Sequence, residues 1–263
     1  MKRLLILLTL AFATVSCGQQ QAEEPPAAAA AAVDPSIYSA ALASPSRLAG
    51  DRDRDTGRKP DQVLAFFGIA PGMTVLDLFS GGGYYSEILS RVVGPDGTVV
   101  AHTNSAYLNF VGEEFAARYA DGRLPNVTVL TAENNELQLD ADRFDAIMMV
   151  LAYHDIYWVA PEQGWPQIDV PRLHAELYKS LKPGGILAIV DHYAVAGSPR
   201  STGSTVHRID PAIVKEELQL AGFTLDAESD LLRNPDDDHS KNVFDPAIRG
   251  NTDRFMLRFR KPE

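Results

Sequence analysis

The chain is short of cysteine, of basic charge and of long apolar runs, and each shortage excludes something. Cys17 is the only cysteine among 263 residues, so no disulfide can close within the chain and the fold must rest on its apolar core. Lysine and arginine number 24 against 35 aspartates and glutamates, a formal net charge of −11, and no basic stripe interleaved with aromatics offsets it. That balance repels a phosphate backbone and argues against nucleic acid as a partner. The apolar run near the start, Leu4 to Ala13, is too short to span a bilayer.

That run is nonetheless part of a pattern. "MKRLLILLTLAFATVSC" places two basic residues, an apolar stretch and small residues ahead of Cys17, the architecture of an export signal. The ending "TVSC" resembles a bacterial lipoprotein signal, with Thr14 where leucine is usual. The resemblance implies that residues 1–16 are a signal peptide, that Cys17 carries the lipid anchoring the protein to a membrane, and that the protein resides in the cell envelope or periplasm. Residues 17–35, "CGQQQAEEPPAAAAAAVDP", are polar and then Pro- and Ala-rich, and are expected to form a tether. Residues 36–263 suit a single domain with an N-terminal helical cap. Within that cap "DRDRDTGRKP" is expected as a solvated loop, the alternative being a cap over a bound ligand that uses Arg54 or Arg58.

From Met73 onward short apolar runs alternate with helical patterns. "MTVLDL", "GTVVAH", "NVTVLT", "FDAIMMV" and "GGILAIV" are the strand candidates, and helices are expected near 83–92, 106–120 and 171–181. This alternation predicts an α/β fold, a doubly wound and mostly parallel sheet with helices on both faces. A helix near 211–220 followed by "GFTLDAESDLL" and "TDRFMLRFRKP" adds an antiparallel closing pair, seven strands in all.

The glycine run in "VLDLFSGGGYYSEIL" follows the first strand candidate and opens a helix. Ligands of such sheets bind beyond the strand ends at this place, and glycines let one lie against backbone N–H groups. "GGGYYS" nearly fits the dinucleotide pattern G-x-G-x-x-G, but the acidic residue wanted about twenty positions on is missing from "AHTNS". The stretch Met73 to Leu78 with "FSGGG", then "LKPGGILAIVD" and "IDPAIVKEELQLAGF", in that order, resembles the class I S-adenosylmethionine-dependent methyltransferases. "GGGYYSEIL", "YHDIYW" and "VHRIDP" look like a group of predicted exported bacterial methyltransferases.

The resemblance implies S-adenosylmethionine as cofactor and carries residue roles with it. Asp77 would accept a hydrogen bond from the ammonium of the methionine end. Gly81 and Gly83 would pass beneath the ribose and methionine portions, while Phe79 replaces the first glycine of the family's loop. Thr103 and Asn104 stand where the family has an acid for the ribose hydroxyls. A neutral bond is worth about 0.5–1.5 kcal/mol against about 1.5–3 for a charged one. Glu133 and Asn134 would reach the adenine.

Beyond the fourth strand candidate come Tyr153, His154 and Asp155, and His207 arrives from the loop after the fifth. His154 suits a general base because imidazole titrates near neutrality. The same histidines and carboxylates, with Asp191 and His192, could instead gather a divalent metal. No pair has the H-x-x-x-H spacing of a helical site, and no metal is assigned. Tyr153, Tyr157, Trp158 and Trp165 would line a pocket or pack a core. Methyl transfer to a small-molecule acceptor is the leading reading; a non-catalytic nucleoside-binding module and a metal-assisted hydrolase stay open.

Overall fold

The structure is a computed structural model that describes residues 33–263. The expected signal peptide, Cys17 and most of the tether lie outside the described residues. All five apolar runs form strands, β1 (Thr74–Asp77), β2 (Thr98–Thr103), β3 (Val127–Thr131), β4 (Phe144–Val150) and β5 (Leu181–His192), joined by β6 (Thr224–Ser229) and β7 (Arg254–Arg260). The sheet order is β3-β2-β1-β4-β5-β7-β6. Strands β1 to β5 run parallel, and β7 lies antiparallel between β5 and β6. Winding therefore reverses between β1 and β4, where Leu76 is flanked by Val100 on one side and Ile147 on the other, and this is where a ligand crevice opens in such a sheet.

The strands are apolar at successive positions because both faces are covered. On one face Leu76, Ile147, Met149, Leu187 and Leu257 pack with residues of α6 (Val170–Ser180) and α8 (Pro211–Leu220). On the other Val75, Ala146, Met148, Ala188 and Met256 pack with α1 (Ser36–Ala43), α3 (Pro60–Phe67) and α4 (Tyr84–Val93). The period-two alternation along β4 thus divides one strand between two cores.

The mixed-charge stretch differs from the solvated loop expected for it. Residues Arg52–Arg58 form helix α2, because its charges find partners across the fold. Asp55 receives two bonds from Arg47, each 2.7 Å, and one from Tyr84 at 2.6 Å. Arg54 pairs with Asp51 and with Glu114 of α5 (Ser105–Tyr119). At the centre is Arg118 of α5, fully buried. It pairs with Asp51, Glu87 and Glu114 and donates to the Gly82 carbonyl at 2.9 Å.

Removing one member of a buried ion network strands the remaining charges, at a cost of about 3–5 kcal/mol. Arg118→Ala is therefore expected to lose about that much in urea unfolding. A loss below about 1 kcal/mol, the range of exposed pairs, would show that the cluster contributes no more than surface ion pairs.

Candidate active site

Asp77 ends β1 and is buried. Its carboxylate receives one side-chain hydrogen bond, from Ser86 at 2.6 Å. Burial pushes its pKa up to about 6, against smaller opposing effects of Ser86 and of the Arg58 and Arg118 charges. Three buried polar atoms in and around the adjoining loop lack a partner among the described residues: Ser80 Oγ, the Tyr119 hydroxyl and Trp165 Nε1. Buried donors left unmade cost about 1–3 kcal/mol each, so the Tyr119 and Ser80 hydroxyls near an under-bonded carboxylate, with the Trp165 indole beside Phe79, mark a place built for a polar ligand.

The three glycines of the loop serve different neighbours. A Cβ on Gly82 would lie 2.3 Å from the Glu114 carboxyl carbon, and one on Gly83 would lie 2.6 Å from the Tyr119 hydroxyl and 3.0 Å from Arg118 Cγ. What comes close to the backbone there is α5. A Cβ on Gly81 would meet nothing within 4 Å, so of the two glycines expected beneath a ligand, Gly81 faces open space and Gly83 is covered by the protein.

Phe79 takes φ +55° and turns its ring inward, 5.3 Å from His102, 5.9 Å from Tyr107 and 6.0 Å from Trp165. The side chains expected at the nucleoside end are largely engaged with one another. Asn104 accepts from Tyr107 N at 2.8 Å, capping α5, and donates to Asn134 at 2.9 Å. Glu133 accepts from the Ser105 hydroxyl at 2.5 Å. Thr103 is buried with only a 3.5 Å contact to the Asn104 carbonyl. His102, which preceded the expected acid, bonds the Ala132 carbonyl at 3.0 Å, and burial pulls its pKa down to about 4.

At the ends of β4 and β5 three of the four expected catalytic residues converge. Asp191 accepts from His154 N at 2.8 Å and from His192 N at 2.7 Å, and holds His154 Nδ1 at 2.7 Å. Nε2 of the same ring is 3.2 Å from Asp155 Oδ1, which is 3.4 Å from His207 Nδ1. Burial would lower the His154 pKa, but the Asp191 and Asp155 charges outweigh it and raise it to about 10. His154 therefore holds a proton at neutral pH, where a general base would need to lack one. Tyr153 does not join this group. Its hydroxyl points to Glu217 at 2.8 Å and His174 at 3.1 Å, within the core under α6 and α8.

A cavity of about 610 Å³ is bordered by Arg58, Leu151, His192, Phe244, Arg249 and Arg254 among others, His192 being the neighbour in sequence of Asp191. Arg254 is buried and bonds Thr252 Oγ1 and the carbonyls of Gly57 and Gly250. Arg58 lies 4.6 Å over the Tyr84 ring. Among the described residues no carboxylate pairs with Arg58, Arg249 or Arg254. Sequence reasoning expected α5 as a helix but missed this cavity, Tyr107 and the seat of α5 on the glycine loop, because each joins segments far apart in the chain; of the cavity's residues Arg54, Arg58 and His192 had been singled out.

Residues 76–189 match the methyltransferase domain family. Among curated relatives, the arsenite methyltransferase of Halobacterium salinarum is 31% identical over 149 residues, covering 55% of this chain and 34% of its own. A ubiquinone/menaquinone biosynthesis C-methyltransferase of Idiomarina loihiensis is 30% identical over 125 residues, 47% of this chain and 44% of its own. The chain thus spans between a third and a half of the length of these relatives. A solved S-adenosylmethionine-dependent methyltransferase from Aquifex aeolicus shares the fold at a TM-score of 0.56, with 24% identity over 87% of this chain and 98% of that one. Residues 76–189 are thus similar to the methyltransferase domain family, and the seven-stranded sheet has the fold of solved S-adenosylmethionine-dependent methyltransferases.

Proposed function

We propose that the protein transfers a methyl group from S-adenosylmethionine to a small anionic acceptor held in the cavity beside Leu151 and His192. The observation that carries the cofactor reading is Asp77, a buried carboxylate with a single side-chain donor beside unpartnered hydroxyls. The residues fit the methionine end of the cofactor: Asp77 would receive its ammonium, and the Ser80 and Tyr119 hydroxyls could donate to its carboxylate. At the nucleoside end, Trp165 Nε1 offers a free donor, and Phe79 and Tyr107 offer aromatic faces. The cofactor, when bound, supplies a methyl group on a sulfonium with a neutral thioether as leaving group.

What remains for the chain is to bind, align and exclude water. Leu151 and Phe244 give the cavity apolar walls, while Arg58, Arg249 and Arg254, with Asp53 as the one carboxylate among the lining residues, give it a positive balance. Arginines so placed suit a carboxylate or phosphate, so the reading favours an acceptor with an anionic group on an apolar body. The leader and Cys17 support the further reading of an exported, lipid-anchored enzyme, checked by whether globomycin leaves the unprocessed precursor in cells; processing unaffected by it would remove the anchor.

Asp77→Asn should act in opposite directions on stability and on binding. The folded pKa of about 6 lies above the ordinary 3.8, so the ionised carboxylate opposes folding above pH 6. Between about 6 and 3.8 the folded protein takes up its proton first and regains stability. The Asn variant should therefore be more stable by about 3 kcal/mol at neutral pH, with the advantage gone near pH 4. In calorimetry it should bind S-adenosylmethionine at least about tenfold more weakly, and wild-type affinity should fall below about pH 6. A stabilised variant with undiminished affinity would remove Asp77 from the site.

Benzoate and inorganic phosphate test the acceptor cavity separately. Arg249 is exposed at its rim, and Arg249→Ala should weaken binding of whichever anion is taken by about tenfold, as expected for a lost charged hydrogen bond. S-adenosylmethionine affinity should stay unchanged. Failure of both anions to bind wild-type protein would remove the anionic-acceptor reading.

A further inference from the structure

We infer that His154, Asp155 and His207 form a binding site for a divalent transition-metal ion of the zinc class, set in the wall of the active-site crevice. One ligand atom from each residue lies within 4.8 Å of the other two. Two of the three separations fit a shared ion, and the third is within 4.8 Å. Asp155 Oδ1 is 3.2 Å from His154 Nε2 and 3.4 Å from His207 Nδ1. A tetrahedral zinc ion with bonds of about 2.0–2.1 Å holds its ligand atoms about 3.3–3.4 Å apart. The donor set of two imidazoles and a carboxylate suits zinc and its neighbours and leaves a fourth position open, as in catalytic zinc sites.

The surroundings are those that metal ligands require. His154 presents Nε2 to the cluster because Nδ1 is held by Asp191, and Asp191 is fixed in turn by the backbone N–H groups of His154 and His192. A carboxylate behind an imidazole sets its tautomer and orientation toward a metal. The second oxygen of Asp155 is held by the Tyr107 hydroxyl at 2.6 Å, which leaves Oδ1 for the ion. His207 is delivered by a strained backbone. It has φ +55° at the end of helix α7 (Thr202–Val206), a conformation that costs a non-glycine residue energy. The helix itself comes so close to the His154 turn that a Cβ on Gly203 would lie 2.4 Å from the His154 carbonyl oxygen. Close packing and an unfavourable φ together bring one imidazole nitrogen to a carboxylate already near another.

That His154, Asp155 and His207 bind a metal rests on geometry alone. That the open position takes a lone-pair atom of the acceptor rests on the methyl-transfer reading.

The test uses the full chain purified without chelators and loaded with zinc or with cobalt as a spectroscopic probe. Wild-type protein should retain about one equivalent after dialysis, as in a single site with three protein ligands, and the cobalt form should show the visible absorption of a four-coordinate ion. His207→Ala, at a half-buried position, and Asp155→Asn should each lose at least tenfold in metal affinity and lose the absorption. Circular dichroism checks that both fold. His239→Ala, whose ring bonds Asp253 outside this cluster, should retain the ion. Wild-type protein without bound metal, or folded His207→Ala and Asp155→Asn variants with undiminished affinity, would overturn the inference. S-adenosylmethionine binding, measured in parallel, separates the two readings: its absence together with stoichiometric metal would remove the acceptor role and leave the metal site standing.

Discussion

One buried guanidinium holds together the parts of the chain that shape the crevice. Arg118 reaches from α5 to Glu87 on α4, to Asp51 ahead of α2 and to the Gly82 carbonyl of the loop after β1. The bare backbone of Gly82 and Gly83 lets α5 descend far enough for these bonds to form. Once α5 is seated, Tyr119 stands beside Ser80 and Ser86 without a hydrogen bond of proper geometry, and α2 carries Arg58 across the Tyr84 ring toward the cavity. Ionic contacts of this kind contribute less net stability than their number suggests, because desolvation offsets much of the attraction. Their consequence here is positional, and the network fixes where the loop, the cap and the cavity meet.

Unfavourable local features collect along the carboxyl edge of the sheet. Asp77 is buried with little to hold its charge, hydroxyls and an indole N–H lack partners, His207 has a left-handed backbone, and three arginines share a cavity with no paired carboxylate. Elsewhere the two cores are closely packed and apolar. A protein keeps such costs where binding recovers them, and the charges divide by position. Carboxylates stand at Asp77 and around His154, while arginines line the cavity beside Leu151 and His192. The net charge of −11 therefore gives no guide to what the crevice accepts.

Much of the fold was legible in the sequence because it depends on local pattern. Apolar runs such as "FDAIMMV" became strands within a residue or two, and "GPDG" separates α4 from β2 as a breaker sequence does, whereas "LKPGG" opens β5 itself. The charged stretch before α3 was misread because helix propensity and composition say nothing about partners sixty residues away, and those partners decide it. At the site, His154, Asp155 and His207 were named as candidates, and the chain brings them together. Tyr153 could not be separated from them by sequence, since in a tight turn neighbouring residues leave in different directions. The meaning of the glycines was half legible: their need for space was plain, whereas the helix that fills most of it becomes visible only in three dimensions.

The central claim is that the under-bonded carboxylate and vacant donors beside the glycine loop hold the amino-acid end of an adenosyl sulfonium. Calorimetric titration of S-adenosylhomocysteine into the protein near neutral pH tests it most directly. The account predicts saturable one-site binding in the micromolar range. A titration without heat at several temperatures, with protein shown to be folded, would contradict it.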